Sequence, residues 1–454
     1  MKKLIQTLKN IWSIEDLKKK ITFTLILIFI YRIGSHIVLP GINPKLLDDT
    51  KLQAANKGLL GLFDTFAGGA FSQASIFALG IMPYISASIF MQLMTILVPQ
   101  LKKVQSEGES GRKKINQWTR YLTVIVTAFQ AGAYVAYLTA PQGGYAQAIM
   151  LQGILFTFTT IVTLTAGTLF VMWLGERIQD SGLGNGTSII IMVGILARFP
   201  QSIIQEFTAK SQKAGGGLLI FLIEIFILIA IVMSLIVLVQ GLRKIPLSYA
   251  KQIVGSRNLD LSGSRQFLPV KVNSAGVMPI IFAQAIMFLP TLVSFTNIES
   301  AKGITRIFND HSNVWYMIIY GIMVIGFTFL YTALIFNPNQ ISEDLKRSNG
   351  FIPGVKPGQP TADYIGTIMD RVTLPGAIFL AFVGIMPGLA QRLGATAQFS
   401  TFFGGTSLLI MVGVILDTLQ QVETHLLMKK YDGLMNSGRI QGRQSSGPIS
   451  TTVI

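Results

Sequence analysis

Few residues of this sequence stand where they could do covalent chemistry. It contains no cysteine, which excludes disulfides, thiol catalysis and cysteine-ligated metal. Its histidines, His36, His311 and His425, are scattered without ligand spacing and read as surface or interfacial residues. Arg32, Glu224, Asp417 and Glu423 fall within or at the ends of long apolar stretches, where ionisable side chains are functional candidates. No second carboxylate or basic partner stands at a fixed spacing from the acids, so the pattern does not spell a proton relay. Arg32 reads as paired or snorkelling. SGLGNG at 181–186 looks superficially like a dinucleotide loop, but it joins two apolar stretches without the strand-turn-helix context such a loop needs. With no Ser/His, metal or paired-Asp set, an enzyme is not expected, and neither is a cofactor. What remains is noncovalent chemistry: aliphatic side chains at helical spacing, such as Ile81 and Ile85 on one face, and small polar residues within apolar segments.

The elements that carry these residues belong in lipid. The 454-residue chain is 50% hydrophobic and 13% charged, with a mean hydropathy of +0.55, more apolar than a soluble core of that size could hide. About 20 apolar residues cross a bilayer. Ten stretches qualify, at approximately 21–39, 74–98, 119–139, 151–174, 186–205, 217–241, 273–296, 314–336, 373–391 and 402–426. Pro83 and Pro279 are expected to break the second and seventh, a break tolerated where other helices or a cavity meet the freed backbone groups. Residues 1–20 are basic and amphipathic and lead into a full-length span, so they read as an uncleaved surface helix. With the N-terminus in the cytoplasm, most of the 37 Lys and Arg fall on the cytoplasmic side, including the tail at 427–454. The net charge of +16 is thereby gathered on one face, where anionic lipid headgroups, an acidic partner or ribosomal RNA could each be its counterpart.

Five spans in each half require that any repeat relating them be inverted across the membrane. LGIMP at 79–83 and AGVMP at 275–279 hold corresponding places and point to spans two and seven as the functional pair. Ahead of span two, about 59–70 is apolar, rich in Gly and Ala and too short to cross. It reads as either a re-entrant half-helix or an interfacial helix at the bundle edge.

Five segments carry a specific resemblance: LGIMPYISASIFMQL (79–93), SGLGNGTSIIIM (181–192), PVKVNSAGVMPIIFA (269–283), GFIPGVKPGQPTADYI (350–365) and FFGGTSLLIMVGVILDT (402–418). They resemble the bacterial branch of the SecY family, the channel subunits of the protein-conducting translocon, in the right order over essentially all ten spans. That resemblance implies an all-α integral membrane protein of ten transmembrane helices in two pseudo-symmetric inverted halves, 21–205 and 217–426, open at the front between spans two and seven. It implies a pore ring of Ile81, Ile85, Ile191, Met278, Ile281 and Ile410, with Thr187 one turn before Ile191 making that side wetter. Aliphatic side chains hydrogen-bond nothing, so such a ring excludes ions by dewetting yet slides along any sequence. The segment at about 59–70 resembles the family's plug, with Leu60, Phe63, Phe66, Gly68 and Gly69. Ser86, Ser88, Gln92, Thr127, Gln130, Ser274 and Gln284 are expected along the lateral gate.

The loops at 242–271 and 337–371 are longer than the 2–8 residues that join neighbouring helices. By resemblance they dock the motor ATPase SecA or the ribosome through Arg243, Lys244, Lys251, Arg257 and Lys356. The family's arginine in its Pro-Gly-x-Arg-Pro-Gly motif is Lys356 here, which keeps the charge but loses the planar fork. SecE, SecG, signal peptides and preproteins are implied as partners, with a membrane insertase and accessory subunits alongside. The implied location is the bacterial plasma (inner) membrane, both termini cytoplasmic. The rival class is a secondary transporter with inverted repeats, which needs a polar midplane site where an aliphatic constriction is expected.

Overall fold

The computed structural model describes residues 14–46, 64–139, 148–150, 153–212, 217–249, 266–293 and 313–436. A helix overlaps each of the ten expected places: α1 Glu15–Gly34, α2 Met82–Leu97, α4 Glu109–Thr139, α5 Ile154–Ser181, α6 Gly186–Ser211, α7 Gly217–Gln240, α8 Met278–Val293, α9 Val314–Ile335, α11 Gln359–Arg392 and α13 Gly405–Asn436. Between them lie the short helices α3 Pro99–Ser106, α10 Pro338–Arg347 and α12 Ala397–Ser400. Among the described residues seven helices are long and apolar enough to cross a membrane, or eight if α2 and α3 form one bent span. α2 and α8 are only 16 residues each, and α1 begins in the charged run from Glu15 to Lys20.

Helix starts correct the expected breaks. Pro83 and Pro279 do not interrupt spans; each stands at the second position of its helix, α2 or α8, where a missing N–H costs nothing and the fixed φ suits the first turn. Gly80 (φ +53°) and Gly276 (φ +63°) sit three residues before these prolines in left-handed backbone, which glycine adopts without penalty. The two motifs therefore fold alike, as halves related by a repeat would. Residues 64–81, part of which was expected as helix, are helical only at 64–66 and then run as turns. α2 ends at Val98, whose extended backbone is what a following proline imposes, and α3 leaves at 103°.

Exposed apolar side chains such as Leu219, Leu222, Phe226 and Met233 ring α7, as lipid-facing helices require. α4 packs on α2 and α5, α9 on α8 and α11, and α13 on α6. Parts of the two long loops pair as a sheet. β1 (Leu242–Tyr249) pairs antiparallel with β2 (Gln266–Lys271), Arg243 opposite Val270 and Lys244 opposite Pro269. β3 (Gly350–Phe351) adds to the other edge of β1, giving the order β2-β1-β3. Ile245, Leu247 and Val270 bury the inner face against Leu345, Ile352, Ile365 and Met369, so both loops share one core.

Candidate functional site: an aliphatic constriction and its seal

Four helices converge on the centre. A cavity of ≈ 490 Å³ lies between α2, α6, α8 and α13, lined by Ile85, Ile191, Met278, Ile281 and Ile410 together with Tyr84, Ile89, Val277 and Val414. Ile81 joins Ile191 and Ile410 in one buried apolar cluster, against which Ile85 packs. All six expected ring residues are thus brought together. Toward the α5–α6 connection the lining turns polar with Gln179, Asn185, Thr187, Ser188 and Asp417. Asn185 caps α6 by accepting the N–H of Ser188 and takes a 2.7 Å hydrogen bond from the Thr187 hydroxyl. That connection is anchored from outside as well: the Gly184 N–H donates to Gln421 at 2.8 Å and the Leu183 N–H to Thr24 at 3.1 Å.

Phe66, 8% exposed, belongs to the same cluster as Ile81, Ile191, Ile195, Phe402 and Ile410. The described part of the expected plug segment, 64–70, therefore packs against expected ring residues through an aromatic side chain. Gly68 (φ +64°) and Gly69 (φ +92°) turn the backbone behind it. Leu60 and Phe63 lie outside the described residues. Sequence reasoning missed the charges that hold this turn. Asp64 pairs with Arg198 of α6, and Arg32, expected to pair or snorkel, donates to the Gly68 carbonyl at 3.2 Å.

The gate candidates divide. Ser88 and Gln92 line the cavity, and Gln92 accepts a 3.1 Å bond from the Tyr331 hydroxyl of α9, which joins the two halves. Ser86, Thr127 and Ser274 donate instead to carbonyls of their own segments, at Met82, Thr123 and Lys271. Gln130 is half-buried on α4. Gln284 accepts from Thr406 at 3.4 Å. Tyr331 was not singled out in the sequence; a tyrosine in an apolar helix gives no sign of which neighbour its hydroxyl meets.

On the docking side, Arg243 and Lys244 are exposed on β1. Lys356 is exposed at the tip of a turn between Gly354 (φ +86°) and Gly358 (φ +102°). The turn is fixed by bonds from Thr361 to the Lys356 carbonyl at 2.8 Å and from Ser342 to the Gly358 carbonyl at 2.6 Å. Lys251 and Arg257 lie outside the described residues.

A family model described as SecY matches residues 75–419. The chain belongs to the SecY family. The protein translocase subunit SecY of Streptomyces scabiei is 41% identical, over 92% of this chain and 97% of its own. That of Thermotoga maritima is 38% identical, over 97% and 100%. Among solved structures, one described as a protein conducting channel superposes with a TM-score of 0.60 at 16% identity, over 92% of this chain and 94% of its own. Sec61 in a canine ribosome-channel complex gives 0.58 at 16%, with the same coverages. The fold is that of these channels, and the role carried by SecY membership is the pore-forming translocase subunit. A small-solute transporter is not favoured, because the convergent site is aliphatic.

Proposed function

We propose that the aliphatic side chains of Ile81, Ile85, Ile191, Met278, Ile281 and Ile410 form the constriction through which this chain passes unfolded secretory polypeptides. The observation that carries the reading is the convergence of Ile85, Ile191, Met278, Ile281 and Ile410 from four helices on one cavity that turns polar toward the α5–α6 connection, with Ile81 and Phe66 in the buried apolar cluster that includes Ile191 and Ile410. A ring without hydrogen-bonding groups has no preference among polypeptide sequences and dewets when narrow. One SecY relative, at TM-score 0.58 and 18% identity, is described as having a plug that stabilises the closed state and maintains a membrane seal. Here the segment at about 59–70 takes that part. Signal peptides and membrane helices of preproteins leave sideways between α2 and α8, where polar contacts are few enough to part. The halves 21–205 and 217–426 hinge at the connection between α6 and α7.

The protein hydrolyses nothing itself in this reading. SecA, the ribosome through its RNA, or the proton-motive force supplies the drive; SecE clamps the halves and SecG joins them. The basic face meets anionic lipids, and an insertase and accessory subunits attach at the periphery. The chain sits in the bacterial inner membrane with both termini cytoplasmic.

Because the chain has no native cysteine, single cysteines at Ile81, Ile191 and Ile410 can carry photocrosslinkers without background. A stalled secretory chain is expected to crosslink at all three and not at lipid-facing Phe226. Absence of crosslinks at all three removes the channel reading.

A further inference from the structure

Asp64 is 5% exposed, and one carboxylate oxygen accepts from the Arg198 guanidinium. The other accepts the Ser72 backbone N–H at 2.8 Å. Arg198 also donates to the Ser72 hydroxyl at 2.7 Å, and that hydroxyl donates to the Gly69 carbonyl at 3.1 Å. One guanidinium thus closes the 64–72 turn and ties it to α6, while Arg32 ties the Gly68 carbonyl to α1. The approach is close because side chains are missing where they would interfere. A Cβ on Gly194 of α6 would stand 2.5 Å from the Phe66 carbonyl oxygen, and one on Gly69 2.7 Å from Arg198 Nε.

We infer that Arg198 is the latch of the seal: its ion pair with Asp64, not the apolar seat of Phe66 alone, sets how strongly the plug segment prefers the closed position. This rests on the plug reading above. Lifting the segment off the ring takes Asp64 away from a guanidinium whose side chain is only 17% exposed. A charge left without its partner in a poorly solvated site is costly. The apolar contact sets the fit, and the ion pair sets the bias. Arg198 touches no passing polypeptide in the closed state; it acts as a positioning residue through the turn it holds.

The test uses the full chain, in its assembled complex in proteoliposomes, and reads ion leak without substrate. Arg198→Gln and Asp64→Asn are each expected to raise the leak about tenfold or more, a factor equivalent to roughly 1.4 kcal/mol. The double variant is expected to leak no more than either single one, because the two residues act as one pair. Ala70, fully buried in the turn, supplies a second readout in this cysteine-free chain. A cysteine placed there should react faster with a membrane-impermeant maleimide in either single variant than with both charges present, and Arg198→Lys should fall between. Deletion of 60–70 marks the unlatched limit. If the deletion leaks and the single variants keep native leak and native labelling, the latch is overturned while the plug stands. Leak effects that multiply in the double variant also overturn the pair. If the deletion itself leaves the leak unchanged, the plug reading fails and the latch with it.

Discussion

Lys356 is held out at the end of a glycine-bounded turn whose carbonyls are fixed by Thr361 and Ser342, so its ammonium is presented and not merely exposed. An ammonium is a point charge that tolerates many acceptor geometries, whereas a guanidinium demands a planar acceptor. If the turn docks a motor or ribosome through charge, Lys356→Glu should depress translocation at least about tenfold. Lys356→Arg should change it by less than about threefold, since reversing a contact costs several times more than altering its fork. Translocation of a model preprotein into inverted vesicles measures both, and equal activity of the two variants would remove the docking role. The position could be found in the sequence from the PGVKPG spacing. Its conformation could not, because the bonds that fix the turn come from α10 and α11. The same limit hid the latch: Asp64 and Arg198 are 134 residues apart, and nothing local to either marks the other.

At the level of elements, helices were legible and their junctions were not. Apolar length alone locates α5, α6, α7, α9 and α13, because lipid demands about 20 such residues wherever a helix crosses. Pro83 and Pro279 were misplaced as breaks because a proline inside an apolar run looks the same whether it kinks a helix or begins one. The left-handed Gly80 and Gly276 before them decide the matter. The three-stranded sheet escaped because β3 is separated from β1 and β2 by α8, α9 and α10, and the strands bury only one face. The seam between α2 and α9 likewise depends on a partner choice the sequence leaves open. Tyr331 donates to Gln92 across it, and its ring also lies 6.2 Å from Phe282 of α8. An interhelical hydrogen bond in a membrane is worth about 0.6–2 kcal/mol, so Tyr331→Phe should loosen the seam while keeping its ring packing. Export of a reporter with a weakened signal sequence should rise about threefold or more. Stringency equal to the native chain's would show that this bond does not hold the gate.

Across the whole molecule, the described residues join the two halves at the front through the Tyr331–Gln92 bond and at the back through a buried charge cluster. Glu206 and Lys210 lie one turn apart on α6, and Lys210 Nζ reaches Glu224 on α7 at 2.8 Å and the Gly394 carbonyl at 3.0 Å. Glu206 in turn accepts the Thr396 N–H at 2.8 Å. One lysine therefore ties the end of the first half to both the first helix of the second half and its α11–α12 connection. The hinge and sideways exit proposed above would require this arrangement, a front seam that parts and a back that does not. Glu224 was singled out in the sequence, but its partner Lys210 lies 14 residues earlier, on α6 before the connection to α7, so no helical spacing revealed it. Removing the shared cation leaves two carboxylates in a site where all three residues are under 10% exposed. Loss of one partner of a buried pair typically costs about 3–5 kcal/mol, whereas replacing the whole set by neutral groups is often nearly free. Lys210→Met should accordingly lower the thermal unfolding midpoint of the purified complex by several degrees. The triple variant Glu206→Gln, Lys210→Met, Glu224→Gln should recover most of the loss. A single variant as stable as the native chain would mean that the back of the molecule is held by apolar packing alone, and that the hinge has no ionic tie.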